Sequence, residues 1–124
     1  MNVELVAPDR MVWSGEAEMV IARTTDGDIG ILPGHEPTLG VLVPSPVRIK
    51  RSGEDELVAA VHGGFLSVTR DSVSVLAEVV ELAEEIDSSR ARQALERARG
   101  GDDEDAKSAE RRAAARLRTV GETV

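Results

Sequence analysis

The chain has 124 residues, with 23 acids against 15 bases and a formal net charge of −8. That length fits one small domain with an appendage and excludes the deep pocket of a large enzyme. No cysteine is present, which excludes disulfide staples and thiolate metal sites. One Trp, one Phe and no Tyr leave few stacking platforms, and an acidic chain repels phosphate, so a nucleic-acid binder is not expected.

The N-terminus has no charged region ahead of an apolar run, so no signal peptide is expected. No apolar stretch approaches the ~20 residues of a membrane span. The expectation is a soluble, cytoplasmic chain that meets a membrane only through a partner. Charge divides unevenly along it. Residues 1–86 hold 15 acids and 6 bases, whereas residues 87–124 hold 8 acids and 9 bases. These two parts, 1–86 and 87–124, are the expected domains.

In chain order, Val3 and Leu5 alternate with Glu4 in a first strand, which Pro8-Asp9 punctuates. Met11–Trp13 reads as a second, closed by Ser14-Gly15. Residues 17–23 form a third, apolar on both faces near the middle. Thr25-Asp26-Gly27-Asp28 suits a hairpin turn. It leads into Ile29–Leu32, which Pro33 stops because it has no N–H for a ladder. Gly30 lets a bulky neighbour come close, and Gly34 permits a tight turn. Leu39, Val41 and Val43 share one face as far as Pro44. Val47 and Ile49 alternate with Arg48 and Lys50, and Leu57–Val61 returns after the Ser52–Asp55 turn. Gly63-Gly64 make a second glycine corner before Phe65, Leu66 and Val68. Val73, Val75 and Ala77 alternate again, and Val79–Ala83 reads as the last strand. Strands every ~8–12 residues with turns between them predict an antiparallel β-sandwich or barrel.

At Ile86 the period changes. Asp87 or Ser88 can cap a helix, and Ala91, Ala94, Leu95 and Ala98 form its stripe as far as Gly100-Gly101. Acids at 102–105 and arginines at 111, 112, 116 and 118 suit the two ends of a second helix. Its stripe is Ala106, Ala109, Ala113, Leu117 and Val120. The short connection makes an antiparallel helical hairpin. Alanine stripes bury little surface, so this hairpin should be loosely held and able to dock or extend.

Candidate chemistry is sparse. His35 follows a turn glycine and His62 precedes two glycines; neither sits beside a nucleophile or at a metal-pair spacing. Acid runs at 54–56 and 102–105 lack the spacing of a calcium loop. The residues show no enzyme of their own, and no metal or obligatory cofactor is expected.

Residues 27–39, GDIGILPGHEPTL, followed by VRI, together with GGFLSVTRDSVSVLAE and EEIDSSRARQALERAR, resemble the epsilon subunit of rotary ATP synthases in the family's own order. The resemblance implies a non-catalytic central-stalk subunit that couples proton translocation to ATP synthesis. It implies contacts with the gamma subunit, with loops of the c-ring, and with the alpha/beta hexamer when the hairpin extends, all on the cytoplasmic face of the cell membrane. The contacts are expected at two corners: Ile31, Leu32, Pro33, Gly34 and His35, and His62, Gly63, Gly64 and Phe65. Arg111, Arg112, Arg116 and Arg118 would be the inhibitory basic helix. Ile86, Asp87, Arg90 and Ala91 match a motif that holds a regulatory ATP in some members; a capping Asp87 with a surface Arg90 explains the same residues. The alternative from another class is a free-standing β-sandwich adaptor or small-ligand module, for which exposed aromatics are lacking.

Overall fold

The computed structural model describes residues 1–124. Ten strands build two five-stranded sheets. They are β1 (Asn2–Ala7), β2 (Arg10–Glu16), β3 (Met19–Thr24), β4 (Gly27–Ile31), β5 (Thr38–Val41), β6 (Ser45–Lys50), β7 (Leu57–Val61), β8 (Gly64–Val68), β9 (Ser72–Ala77) and β10 (Val80–Leu82). One sheet has the order β2-β1-β9-β8-β5 and the other β10-β7-β6-β3-β4. All pairs are antiparallel except β1 with β9. That parallel pair joins the first strand to a late one, and the long connection a parallel pair needs is the rest of the sandwich.

Alternating positions supply the core between the sheets. Val3 and Leu5 of β1, Val20 and Ala22 of β3, Val47 and Ile49 of β6, Leu66 and Val68 of β8, and Val73 and Val75 of β9 are all buried there. Each strand keeps its period-two pattern because a slip of one residue would turn its whole apolar set outward.

The turns follow local chemistry. Gly27 sits at φ 113° and closes the β3–β4 hairpin, where the Thr24 hydroxyl donates to the Gly27 carbonyl. The Cε of Met19 lies 2.9 Å from where a Gly30 Cβ would stand, so this glycine admits the methionine. Strand β4 ends at Ile31, and Leu32 and Pro33 leave the sheet exposed.

Besides β4, which starts at Gly27 and ends before Leu32, three strands differ from the sequence reading. β2 runs on through Ser14-Gly15, because Gly15 pairs with Val3 and the Trp13 ring lies over the space its side chain would fill. The last strand stops at Leu82. A 3₁₀ turn, Ala83–Glu85, follows, and the Glu85 carboxylate accepts from the Leu82 N–H at 2.9 Å. Leu39 and Val41 of β5 face solvent; the inward positions are Gly40, which lies against Thr24 and Leu66, and buried Leu42.

Two helices complete the chain. In α1 (Ser88–Ala98) the cap is Asp87, whose carboxylate accepts from the Arg90 N–H at 3.1 Å. In α2 (Glu104–Thr119) Asp103 does the same for Ala106 at 2.8 Å. Ala91 and Leu95 of α1 pack against Ala113 and Leu117 of α2. The two leucines are the only large side chains in that seam.

Helix α2 also buries a second side, which the single stripe did not anticipate. Ala115 and Thr119 are 0% and 5% exposed on the turn opposite Ala113 and Leu117, and α2 packs on β6 and β7. Ala60 of β7 points away from the core and is still fully buried, so α2 covers it. Small residues on both partners let helix and sheet come close.

Gly64 carries the sharpest backbone demand. Its φ is 121°, and an added Cβ would stand 2.1 Å from the Leu76 carbonyl oxygen on β9. Gly64→Ala should cost about 3 kcal/mol or more, because strain and overlap add. Denaturant unfolding checks this; a loss below ~1 kcal/mol would mean the corner relaxes freely.

Candidate functional site

Two surfaces stand out from the fold. The first lies where the sandwich meets the hairpin. A cleft of about 450 Å³ is lined by Glu81, Glu85, Ile86, Asp87, Arg90, Ala91, Gln93, Ala94, Arg97 and Arg116. It therefore brings together all four residues of the Ile86-Asp87…Arg90-Ala91 motif and adds Arg97 from α1 and Arg116 from α2. Asp87 and Glu85 each spend an oxygen on a backbone N–H. Arg90 and Arg97 make no ion pair. Arg90 in the first turn of α1, with Arg97 in its last turn along the same cleft, makes a setting for an anion.

Arg116 is engaged differently. Its Nε donates to Glu81 Oε1 at 2.6 Å. The same oxygen pairs with His62 Nε2 at 2.8 Å. Glu81 lies on β10 opposite Ala60, so it and His62 share the outer face of the sheet that α2 covers. The His62 side chain is 3% exposed, and its Nδ1 has no hydrogen-bond partner. Burial pushes the imidazole below its ordinary pKa; the Glu81 hydrogen bond opposes this, and the Arg116 and Arg112 charges add to it. For Glu81, burial pushes the carboxyl up, but the hydrogen bonds from Arg116 and His62 outweigh it and leave the carboxyl below its usual range.

Sequence reasoning did not find this network. Its signal was present: Glu81 is a polar residue at an outward position of β10, His62 follows the end of the adjoining β7, and Arg112 and Arg116 are one helical turn apart.

The second surface is the outside of the other sheet. Directly paired residues share a face. Met11 pairs with Val6, Val6 with Leu76, Leu76 with Phe65 and Phe65 with Val41. One apolar row thus crosses all five strands. Met11, Leu76, Phe65 and Val41 are 53%, 44%, 53% and 47% exposed. The adjoining row is polar apart from the exposed Leu39: Ser14, Glu4, Ser74 and Ser67.

The structure separates the two corners expected to touch partners. The Gly34 N–H bonds to Arg70, beyond the end of β8, whereas Gly63-Gly64 stand at its beginning. Leu32, Pro33 and Gly34 are exposed and His35 half-buried, its Nδ1 against the Glu36 carbonyl. Ile31 is a core residue with no surface to offer, since β4 alternation turns it inward. His62 is likewise hidden, under α2. Of the second corner, Phe65 is the exposed member. The four arginines of α2 also divide. Arg112 bonds to Ser108 and Arg116 to Glu81 on the side toward the sandwich, whereas Arg111 and Arg118 are exposed, Arg111 paired with Glu104.

No three His, Asp or Glu side chains gather as a metal ion would require, and no helix is long and apolar enough to cross a membrane.

Residues 1–83 match the family described as ATP synthase, Delta/Epsilon chain, beta-sandwich domain. The chain is 58% identical over 120 residues to the ATP synthase epsilon chain of Streptomyces avermitilis, covering 97% of this chain and 94% of that one. It is 51% identical over 122 residues to that of Mycobacterium avium, covering 98% and 95%. A chain in the structure of Euglena gracilis mitochondrial ATP synthase, OSCP/F1/c-ring, superposes with a TM-score of 0.75 at 26% identity, over 96% of this chain and 76% of that one. One in the central stalk/c-ring structure of Tetrahymena thermophila ATP synthase shares the fold, with a TM-score of 0.62 at 18% identity, over 97% and 92%. The chain belongs to the ATP synthase epsilon chain family.

Proposed function

We propose that this chain is a non-catalytic central-stalk subunit of a rotary ATP synthase, peripheral on the cytoplasmic face of the cell membrane, that helps couple proton translocation to ATP synthesis. The observation that carries this reading, beside the family, is the apolar row across β2-β1-β9-β8-β5. A sandwich has two outer faces. The chain's own helix α2 covers one, and the other keeps a continuous apolar band that a permanent partner would bury. The gamma subunit is that partner in this reading. The exposed tip Leu32-Pro33-Gly34, at the far end of the sandwich, is the segment left for c-ring loops.

Residues 87–124 serve as the inhibitory switch. In the docked arrangement Arg112 and Arg116 are turned to the sandwich, so half of the basic set is withheld. Extension would expose Arg112 and Arg116 beside the already exposed Arg111 and Arg118 for acidic surfaces of the alpha/beta hexamer. The cleft at Arg90, Arg97 and Arg116 would hold a regulatory ATP, phosphates toward the guanidiniums and the start of α1, and so favour the docked form.

Three measurements test these points. Phe65→Asp should leave the isolated chain folded yet weaken capture of gamma by about 30-fold or more; undiminished capture would move the interface elsewhere. Deleting residues 87–124 should raise ATP hydrolysis by the assembled complex without loss of assembly; unchanged hydrolysis rejects the switch. Calorimetric titration of ATP should show binding that Arg90→Ala weakens about tenfold or more; a silent titration of the unmutated chain removes the nucleotide.

A further inference from the structure

The contact between hairpin and sandwich is poor in large apolar groups and holds one charged cluster. Glu81 Oε1 accepts both bonds that link the sandwich's His62 to the hairpin's Arg116, at 2.8 and 2.6 Å. The ring is buried because α2 lies over the outer face of β7. With Nε2–H donating to Glu81, the neutral ring leaves Nδ1 as a bare acceptor that no group meets.

Adding a proton there changes the balance. Nδ1–H would become a buried donor with no acceptor, at a cost of ~1–3 kcal/mol. The ring would also become a third cation at the cluster. From β10, Glu81 faces it; from α2, Arg116 and Arg112 do. Glu78, in the β9–β10 turn, lies over neighbouring Gly63 without bonding the ring. One carboxylate would then be shared by an imidazolium and a guanidinium, with Arg112 adding repulsion. If α2 leaves, water reaches the ring and both penalties vanish.

We propose that His62, Glu81 and Arg116 form a proton-sensitive latch: a neutral ring keeps the hairpin on the sandwich, and a protonated ring releases it. The sign follows from linkage. Burial holds the docked imidazole below its free value of about 6.5. The latch therefore contributes fully above that pH and is lost as pH falls through the docked value. Glu81, also held below its usual range, acts in the same sense in stronger acid. The proposal rests on the hairpin being separable, as in the switch reading, but not on inhibition of hydrolysis.

The test uses the full chain in solution, titrated from pH 8 to pH 5. The His62 ring is followed by its Cε1–H resonance and the hairpin by amide exchange, corrected for the intrinsic pH dependence. From the free value of about 6.5 down to the docked ring's midpoint, opening of α1 and α2 should increase about tenfold per pH unit, the slope for one linked proton, and level off below it. Core amides of β1 and β9 should stay protected. His62→Gln, which keeps a donor for Glu81 but cannot take a proton in this range, should abolish that rise. A hairpin that stays shut while His62 titrates overturns the latch, as does a His62→Gln chain that opens along the parent's curve. Should His62→Gln not fold, levelling of the rise at the parent ring's own midpoint decides alone, and a rise that ignores that midpoint overturns the latch. Hydrolysis by the assembled complex reads the switch separately, so either idea can fail without the other.

Discussion

One carboxylate, that of Glu81, is where the two halves of this molecule meet in charge. It accepts from His62 on the sandwich and from Arg116 on the hairpin. Around it the contact is made of Ala60, Ala115 and Thr119, groups that fit closely and bury little area. A seam of that kind holds its geometry through hydrogen bonds to charge, which weigh more than a methyl group and respond to protons and to competing ions. The hairpin's own seam depends on Leu95 and Leu117. The sandwich stands apart from both, with eighteen buried residues in one apolar cluster.

This difference in packing gives the two parts different tasks. The sandwich is built like a fixture. Its core is continuous, and its one uncovered sheet face carries an apolar band that asks for a lasting partner. The hairpin is built like a movable element. Its helices are capped by Asp87 and Asp103, yet what holds them down is small. Undocking removes the packing on which two short helices depend, so their amides open to exchange together while the sandwich holds.

Much of the fold was legible in the residues because period and punctuation agree. Gly27, Pro33, Gly64 and Gly100 stand at turns or element ends, and the change of period at Ile86 marks the step from strand to helix. The motif from Ile86 to Ala91 was legible as a unit, and its four residues do line one cleft. What could not be read was which side of a two-sided pattern faces inward. Leu39 and Val41 alternate as core residues would, yet Gly40 and Leu42 take the inner positions. The second buried side of α2 was hidden for a related reason, since alanine serves either a solvent face or a tight interface. The network at Glu81 needed strand order: residues 62, 81 and 116 are adjacent only once β10 lies beside β7 and α2 crosses them. Family resemblance pointed to His62 as an outward contact. The fold turns it toward the chain's own hairpin.

Amide exchange of the intact chain at neutral pH tests the contrast between fixture and movable element most directly. All of α1 and α2 should open together, at a free energy roughly 2 kcal/mol or more below that of β1 and β9, while the sandwich remains protected. Equal protection of the helices and the central strands, lost in one common unfolding, would contradict a separable hairpin.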